Sequence, residues 1–349
     1  DKDFDVNILN PFISNSTTNF NIRKVHNDKM DSKKLALLGL KPDLKTSVVP
    51  SELVLNLRNL VREYYNLTDE RSAYVNKLQG VLRTTFPQYL NVFSKITTQT
   101  SLALLDKYTS PKAFLESPKE DIVNIIRITA RFGLTYASKK YNAIICAAQA
   151  ATVFGYSTDS SNSLIRIYID FIRKFDSVIA DLLNQMHELV NKYENETFVK
   201  QIHLIETIKG AGFLTAVALM CEIGDFSVFK KPKQLFAYFG LDPAVRDSGK
   251  FSGTNVSMSK RGSRLARRVI HTIALINIGK SRSGAAHNPV LMQYYQSKCN
   301  SKPKMVALGT VMHKVCNIVF AVLRDEKPFE IISPETHKLH YKQSLSLVA

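Results

Sequence analysis

Two aspartates, Asp28 and Asp31, stand three positions apart at the start of a segment predicted to be a helix ending at Gly39. Residues i and i+3 lie on the same helix face, so both carboxylates could reach one point. Mg²⁺ usually takes one or two protein carboxylates together with phosphate oxygens. The pair is therefore a candidate magnesium site. Acidic residues in a first helical turn also complement the helix dipole, which is the structural alternative.

A Gly-x-Gly turn, formed by Lys209, Gly210, Ala211 and Gly212, separates two short apolar segments that are predicted to be helices. Glycines allow positive φ and leave the backbone amides accessible. Amides at the start of the following helix can bind a phosphate without reading a base. The pattern predicts a helix-hairpin-helix that contacts a nucleic-acid backbone, and a simple tight connector is the alternative.

A basic segment, SKRGSRLARR, follows at residues 259–268. We expect a helix capped by Ser259, with cations in its first turn. Cations at that end oppose the helix dipole, so an external anion such as phosphate would explain them. The candidate backbone contacts are Lys260, Arg261, Arg264, Arg267 and Arg268.

Between these two segments lies the tripeptide Asp247-Ser248-Gly249, predicted as a turn ahead of a hairpin over residues 250–258. Serine is an ordinary turn residue, so Ser248 carries no functional signal by itself. A metal-independent serine hydrolase is disfavoured because the G-x-S-x-G elbow is absent and no histidine is placed as its base.

The net charge of +17 is unevenly distributed along the chain. Residues 226–349 hold 20 Lys or Arg against 6 Asp or Glu, a net of +14, so the first 225 residues carry only +3. This asymmetry predicts a polyanion-binding region joined to a near-neutral scaffold. A basic surface without a polyanionic partner is the alternative.

The four cysteines form no C-x-x-C pair and the eight histidines show no zinc spacing, which is typical of free thiols in a reducing compartment. We expect no membrane span, because no apolar run approaches about 18 residues, and we expect no signal peptide. These features predict a cytoplasmic protein.

The scaffold is predicted to be mostly helical. A short strand is expected at residues 5–10, stopped by Asn-Pro. Two apolar stripes with alternating steps of three and four, Leu53 to Val81 and Leu164 to Leu189, predict an antiparallel helical hairpin. Either stripe could be a bundle core or an oligomerising coiled coil. A helical insert is expected at residues 86–162, and further helices at about 288–297 and 302–323.

The order of these segments resembles the DEDD transposases of the insertion sequence 110 family. The resemblance rests on a strand ending in Asn-Pro, an Asp-x-x-Asp helix and a long helical hairpin. It continues through IKGAGFLTAVALMCEIGDFSVFKKPKQLFAYFGLDP, DSG, MSKRGSRLARR, KPKMVALG and LRDEKPFE. It covers residues 6–330 and is densest over residues 208–268.

The resemblance implies a RuvC-like, RNase H-type domain with four acids around Mg²⁺, and a C-terminal helix-hairpin-helix domain that supplies a nucleophilic serine. On matching positions, Asp28 and Asp31 are the third and fourth acids and Ser248 is the serine. The implied fold is mostly α. It has an α/β remnant of the RuvC-like domain at 1–45, a coiled-coil hairpin with an insert at 46–200, the transposase domain at 201–330 and a tail at 331–349.

The implied activity is DNA strand breakage and rejoining, with double-stranded DNA and a structured guide RNA as partners, in a homodimer or tetramer at the bacterial nucleoid. The family's first Asp and its Glu lie on strands upstream of the one that ends in Asn-Pro, where this chain begins. We therefore expect either a fragment of a longer protein or a degenerate copy. The alternative function is a catalytically inactive protein that only binds nucleic acid or dimerises.

Overall fold

The computed structural model describes residues 28–40, 50–244, 247–248, 251–252, 257–336 and 339. Over these ranges the chain is mainly helical, as predicted. The α-helices are α1 Asp28–Gly39, α2 Glu52–Thr85, α3 Gln99–Lys107, α4 Pro111–Glu116, α5 Lys119–Ala130, α6 Leu134–Phe154, α7 Asp159–Lys192, α8 Thr197–Glu206, α9 Phe213–Ile223, α10 Pro232–Tyr238, α11 Arg264–Asn277, α12 Pro289–Cys299 and α13 Lys304–Asp325. Short 3-10 helices span Pro87–Asn91 and Phe226–Val228, and strands β1 Asp247–Ser248 and β2 Phe251–Ser252 pair antiparallel.

Two compact units divide the chain. The central unit comprises residues 57–206 and 211–218, and the terminal unit comprises residues 1–56, 207–210 and 219–349. The strand predicted at residues 5–10, which belongs to the proposed RuvC-like remnant, lies outside the described residues, as does most of the tail predicted at 331–349.

The core of the central unit is built from aromatic side chains that the predicted insert supplies. Phe114 is fully buried, with ring centroids 5.7 Å from Phe86, 5.9 Å from Tyr89 and 5.2 Å from Tyr108. Capping residues set where its helices begin: the side chains of Thr98, Ser110 and Thr158 accept backbone N–H bonds at the starts of α3, α4 and α7. Short capped helices can then wrap the aromatic cluster.

The two long helices of the central unit run antiparallel, as predicted. The ring of Tyr74 on α2 stacks on Phe171 of α7 at 4.7 Å. Three residues earlier on α2, Arg71 donates two hydrogen bonds to the carboxylate of Asp176, at 2.5 and 3.0 Å. Arg71 precedes Tyr74 on α2, whereas its partner Asp176 follows Phe171 on α7, so the two helices run in opposite directions.

The predicted stripe of α7 contacts α2 through Phe171 and Phe175, but the fully buried side chains of α7 lie one position further along. The predicted stripe members Leu164 and Phe171 are 38% and 43% exposed, whereas Ile165, Ile169 and Ile172 are fully buried. The sequence LIRIYIDFI carries two overlapping apolar stripes, and only the packing of the insert decides which one is covered.

Helix α13 is the centre of the terminal unit and packs against α10, α11 and α12. Its buried side chains recur every three or four positions, as in Val311, Val315 and Val319. Contrary to the sequence expectation, α13 is long and apolar enough to cross a bilayer by length and composition, with 56% of its apolar window buried inside the fold. That burial is typical of a core helix.

Candidate nucleic-acid interface

A hairpin in the terminal unit carries Ser248. At its base, Lys260 N–H donates to Gly240 O at 3.0 Å and Ser259 N–H donates to Asp242 O at 2.8 Å. Next, Ala244 N–H donates to Ser257 O at 2.8 Å. Near its tip, β1 pairs with β2, with Ser248 opposite Phe251.

This geometry corrects the hairpin predicted at residues 250–258. The hairpin starts earlier, near Gly240, and Ser248 is the last residue of its first strand rather than a turn that precedes it. The two residues between the strands are Gly249 and Lys250, which lie outside the described residues. A glycine in the first position of a two-residue loop is a known hairpin signal, so the position of this loop was predictable from the sequence.

The basic segment leaves the base of this hairpin and enters α11. The predicted cap at Ser259 is wrong, because α11 begins at Arg264 and the side chain of Ser263 accepts the Ala266 N–H at 3.1 Å. Ser259 instead donates to the carboxylate of Asp242 at 2.5 Å. Lys260 and Arg261 therefore precede the helix and lie in a loop.

Lys260 has a φ of 53°, a left-handed conformation that is uncommon for residues other than glycine. The loop is also pressed against the end of α10: a Cβ added to Gly262 would lie 1.9 Å from Tyr238 O. Strained backbone persists where the surroundings impose it, and such positions cluster at functional sites. The strain at Lys260 thus marks this loop as a candidate site.

The three arginines of the first turns of α11 have different surroundings. Arg264 and Arg268 are exposed and lie four residues apart, on the face opposite the buried Val269 and Ile273. Arg267 points inward, where its Nη1 donates to Phe239 O at 3.1 Å and to Gly262 O at 2.7 Å. Burial, and then the nearby Arg264, lower the pKa of Arg267.

The structural role of Arg267 was not predicted. Its hydrogen bonds tie the start of α11 to the end of α10, and its role as a nucleic-acid contact stays a prediction. The exposed cations at this end are Lys260, Arg261, Arg264 and Arg268, which we call the basic surface.

The Gly-x-Gly turn lies at the other end of α11. Lys209 O accepts a hydrogen bond of 2.6 Å from the side chain of Asn277, and a Cβ on Gly210 would approach Ile276 to 2.9 Å. Since a helix rises about 1.5 Å per residue, this turn is about 18 Å along α11 from Arg264. The structure therefore separates Lys209 and Gly210 from the basic surface, whereas the role of Gly212 as a nucleic-acid contact stays a prediction.

Helices flank this turn as predicted, α8 before and α9 after it. Of its two glycines only Gly210 has positive φ, 87°, so the expectation for Gly212 is wrong. Packing of α8 and α9 as a helix-hairpin-helix stays a prediction.

A buried asparagine pair near this turn was missed by the sequence analysis. Asn277 Oδ1 accepts a hydrogen bond of 3.1 Å from Asn288, whose own side chain caps α12. The sequence signal was present: Asn277 continues the buried stripe of Ile270 and Ile273 at helical spacing, so a polar side chain had to be satisfied there.

The predicted helix over Asp28 and Asp31 is confirmed, since Asp28 begins α1 and Asp31 follows one turn later. The two positions share a helix face, and carboxylate oxygens are the ligands that Mg²⁺ prefers. The role of the pair as magnesium ligands stays a prediction. Within the described ranges, no group of three or more His, Cys, Asp or Glu is placed to hold a metal.

Comparison with known families decides where this architecture belongs. Residues 202–296, which include the hairpin, all of α11 and most of α12, match the family model described as "Transposase IS116/IS110/IS902 family". Residues 1–87 match a second model, DEDD_Tnp_IS110, described as "Transposase". The two matches together cover just over half of the 349 residues. The chain belongs to the IS110/IS116/IS902 transposase family.

Individual relatives of this transposase agree with that assignment. An insertion element IS116 protein of Streptomyces clavuligerus is 22% identical over 295 residues, covering 82% of this chain and 68% of the relative. A pilin gene-inverting protein of Moraxella lacunata is 28% identical over 161 residues, covering 46% of this chain and 48% of the relative. The transposase for insertion sequence element IS1111A of Coxiella burnetii is 25% identical over 152 residues, covering 43% of this chain and 40% of the relative.

Proposed function

We propose that this transposase holds a nucleic-acid backbone on its basic surface and breaks and rejoins DNA strands with Ser248 as the nucleophile. The observation that carries the proposal is the hairpin itself. Its base is hydrogen-bonded at Gly240 and Lys260, next to Arg261, and its tip carries Ser248. Ser248 lies on this hairpin, Lys260 and Arg261 lie at or directly after its base, and Arg264 and Arg268 follow on α11. All of them belong to the segment that matches the transposase family.

The charges of the basic surface support backbone binding. Lys260, Arg261 and Arg264 form no ion pair with any residue in the part of the chain that the structure describes. Phosphate groups would supply the missing counter-charge, and Arg264 and Arg268 stand on one helix face to meet successive phosphates.

The reaction we propose is a phosphoryl transfer. The Ser248 hydroxyl gives up its proton and its Oγ forms a bond to the scissile phosphorus, while the bond from that phosphorus to the 3′ oxygen breaks. The departing 3′ oxygen takes up a proton, and a 5′-phosphoserine link remains. Attack on that link by the 3′ hydroxyl of another strand restores a phosphodiester and releases the serine hydroxyl.

Asp28 and Asp31 would hold Mg²⁺ in this proposal, together with phosphate oxygens and further ligands. When bound, the ion neutralises negative charge that builds up on the phosphate. The terminal unit contains both α1 and the hairpin.

The partners in this proposal are double-stranded DNA and a structured guide RNA, in a dimer or tetramer in the bacterial cytoplasm. Base pairing with the guide would select the DNA sequence, which suits a protein whose candidate contacts are cations directed at phosphates.

The backbone contact is tested by salt dependence. Replacing Arg264 and Arg268 by Ala should lower the slope of log affinity against log salt by about 2, since each phosphate contact contributes about 0.9 on duplex DNA. The exposed Arg83 of the central unit, changed to Ala, is the matched control. An unchanged slope in the double variant would remove these arginines from the interface.

The nucleophile is tested by trapping the covalent link. With DNA carrying the insertion element, RNA transcribed from it and Mg²⁺, the unmutated protein should form a protein–DNA adduct that resists denaturation. Ser248→Ala should bind DNA equally well and form no adduct, whereas Ser257→Ala should behave like the unmutated protein. An adduct in Ser248→Ala refutes the assignment. Binding without an adduct in the unmutated protein favours the binding-only role.

A further inference from the structure

An open cavity lies between the end of α10 and the loop that precedes α11. Its lining residues are Ala237, Tyr238, Arg261, Gly262 and Ser263, and its volume is about 360 Å³. That volume is within the range of about 300–1,000 Å³ typical of small-ligand pockets. The cavity is large enough for a single planar group with a charged substituent.

The cavity's walls are fixed by backbone contacts. Gly262 lies so close to Tyr238 O that no Cβ would fit, and Arg267 bridges Phe239 O and Gly262 O. The ring of Tyr238 stands edge-on to Phe229, with centroids 5.2 Å apart and an interplanar angle of 70°. A ligand would therefore meet surfaces that are already in place, which lowers the ordering cost of binding.

Two of the lining side chains offer complementary chemistry. Tyr238 is 49% exposed despite its contacts with other aromatic rings. The guanidinium of Arg261 is exposed and forms no ion pair within the described residues. An aromatic face beside a guanidinium suits a nucleotide, whose base stacks on the ring while its phosphate pairs with the cation.

We propose that this cavity holds one unpaired nucleotide of the strand bound on the basic surface, with its base against Tyr238 and its phosphate at Arg261. A base within a duplex is stacked on both faces and cannot reach the ring, so the nucleotide must be unpaired. The inference rests on the proposed function. It adds that the transposase holds an opened strand at the base of the hairpin that carries Ser248.

The test compares three probes of equal length, about 16 nucleotides, a length that spans one single-strand binding site. They are single-stranded oligo(dT), the same backbone with every base removed, and a duplex. Tyr238→Ala should weaken binding of oligo(dT) by about 5- to 150-fold, the loss of one base stack. Binding of the abasic strand and of the duplex should stay within about twofold. Oligo(U) in parallel tells whether the nucleotide belongs to DNA or RNA.

Two control variants separate stacking from folding. Tyr238→Phe keeps the ring and should keep the preference for oligo(dT) over the abasic strand. Tyr156→Ala removes a tyrosine that is 78% exposed in the central unit and should leave all three affinities unchanged. Equal loss on all probes, or no loss on any, overturns the inference and leaves backbone binding standing. A protein that binds none of the probes refutes the proposed function and this inference together.

Discussion

At the scale of single residues, Asn277 is the polar side chain that holds the Gly-x-Gly turn to α11. It is 1% exposed and donates to Lys209 O at 2.6 Å and to Ile273 O at 2.8 Å. Asn277→Ala removes the acceptor of the buried Asn288 side chain and the donor to Lys209 O, so we expect the free energy of unfolding to fall by about 1–3 kcal/mol. Urea denaturation measures this loss.

The matched control for Asn277 is Thr272, an exposed residue of the same helix. Thr272→Ala should change the free energy of unfolding by no more than about 0.5 kcal/mol. Equal effects of the two substitutions would show that the buried hydrogen bonds of Asn277 contribute little.

His313 is a residue whose environment makes stability depend on pH. It lies on α13 with its ring 4.6 Å from Phe236, and burial, followed by Lys314 and Lys233, holds its pKa below the ordinary 6.5. The unfolded chain therefore binds more protons than the folded chain between those two pKa values. The contribution of His313 to the free energy of unfolding is therefore fully present above about pH 6.5, and it decreases as the pH drops towards the pKa of the folded state.

We expect the free energy of unfolding to fall from about pH 7.5 to about pH 5.5, and to fall less in His313→Gln, which cannot take up that proton. Urea denaturation at the two pH values gives the comparison. The same pH dependence in both proteins would show that other groups account for it.

At the scale of elements, the contact between the basic loop and α10 depends on the absence of a side chain at residue 262. A Cβ on Gly262 would lie 1.9 Å from Tyr238 O and 2.5 Å from Phe239 C, both backbone atoms that cannot move aside. Gly262→Ala should therefore displace the loop, with weaker binding to nucleic acid and lower stability. Anisotropy with a labelled duplex and thermal denaturation measure the two effects.

Gly309 in α13 gives the control for that substitution. A Cβ there meets no atom within 4 Å. Because alanine favours a helix interior over glycine by about 1 kcal/mol, Gly309→Ala should raise stability and leave binding unchanged. If Gly262→Ala binds as well as Gly309→Ala, the loop position does not matter for binding.

The elements themselves were largely predictable from local signals. Gly39 ends α1 as expected, and the helices predicted at 288–297 and 302–323 appear within two residues of those bounds. The start of α11 was not predictable in this way, since Ser259 and Ser263 are equally good caps. Tertiary contact decides between them. The backbone N–H groups of residues 259 and 260 donate to Asp242 O and Gly240 O, so Ser259 is held in the hairpin and the helix begins later, at Arg264.

At the scale of the whole molecule, the charge asymmetry and the transposase family were readable from the sequence, whereas the grouping of the site residues was not. Lys209 and Arg264 are 55 positions apart, and the sequence predicted both as contacts to nucleic acid. They are separated because the two ends of α11 contact different segments, the Gly-x-Gly turn and the end of α10. Only packing could reveal that separation.

The two compact units have separate hydrophobic cores, so a cavity made in one core should destabilise mainly the unit that contains it. Phe114 is fully buried in the aromatic cluster of the central unit, and Ile273 is fully buried in the terminal unit. Truncation to Ala should cost about 3–5 kcal/mol at Phe114 and about 2–5 kcal/mol at Ile273.

Amide hydrogen exchange locates these losses, because it reports local as well as global opening. Phe114→Ala should reduce protection mainly in α3 to α6, and Ile273→Ala mainly in α11 to α13. Phe114→Ala should also retain salt-dependent DNA binding under conditions where the terminal unit stays protected, since the basic surface belongs to that unit. Uniform loss of protection across both units in either variant would mean that the cores unfold together. Binding would then depend on the stability of the whole chain rather than on the terminal unit.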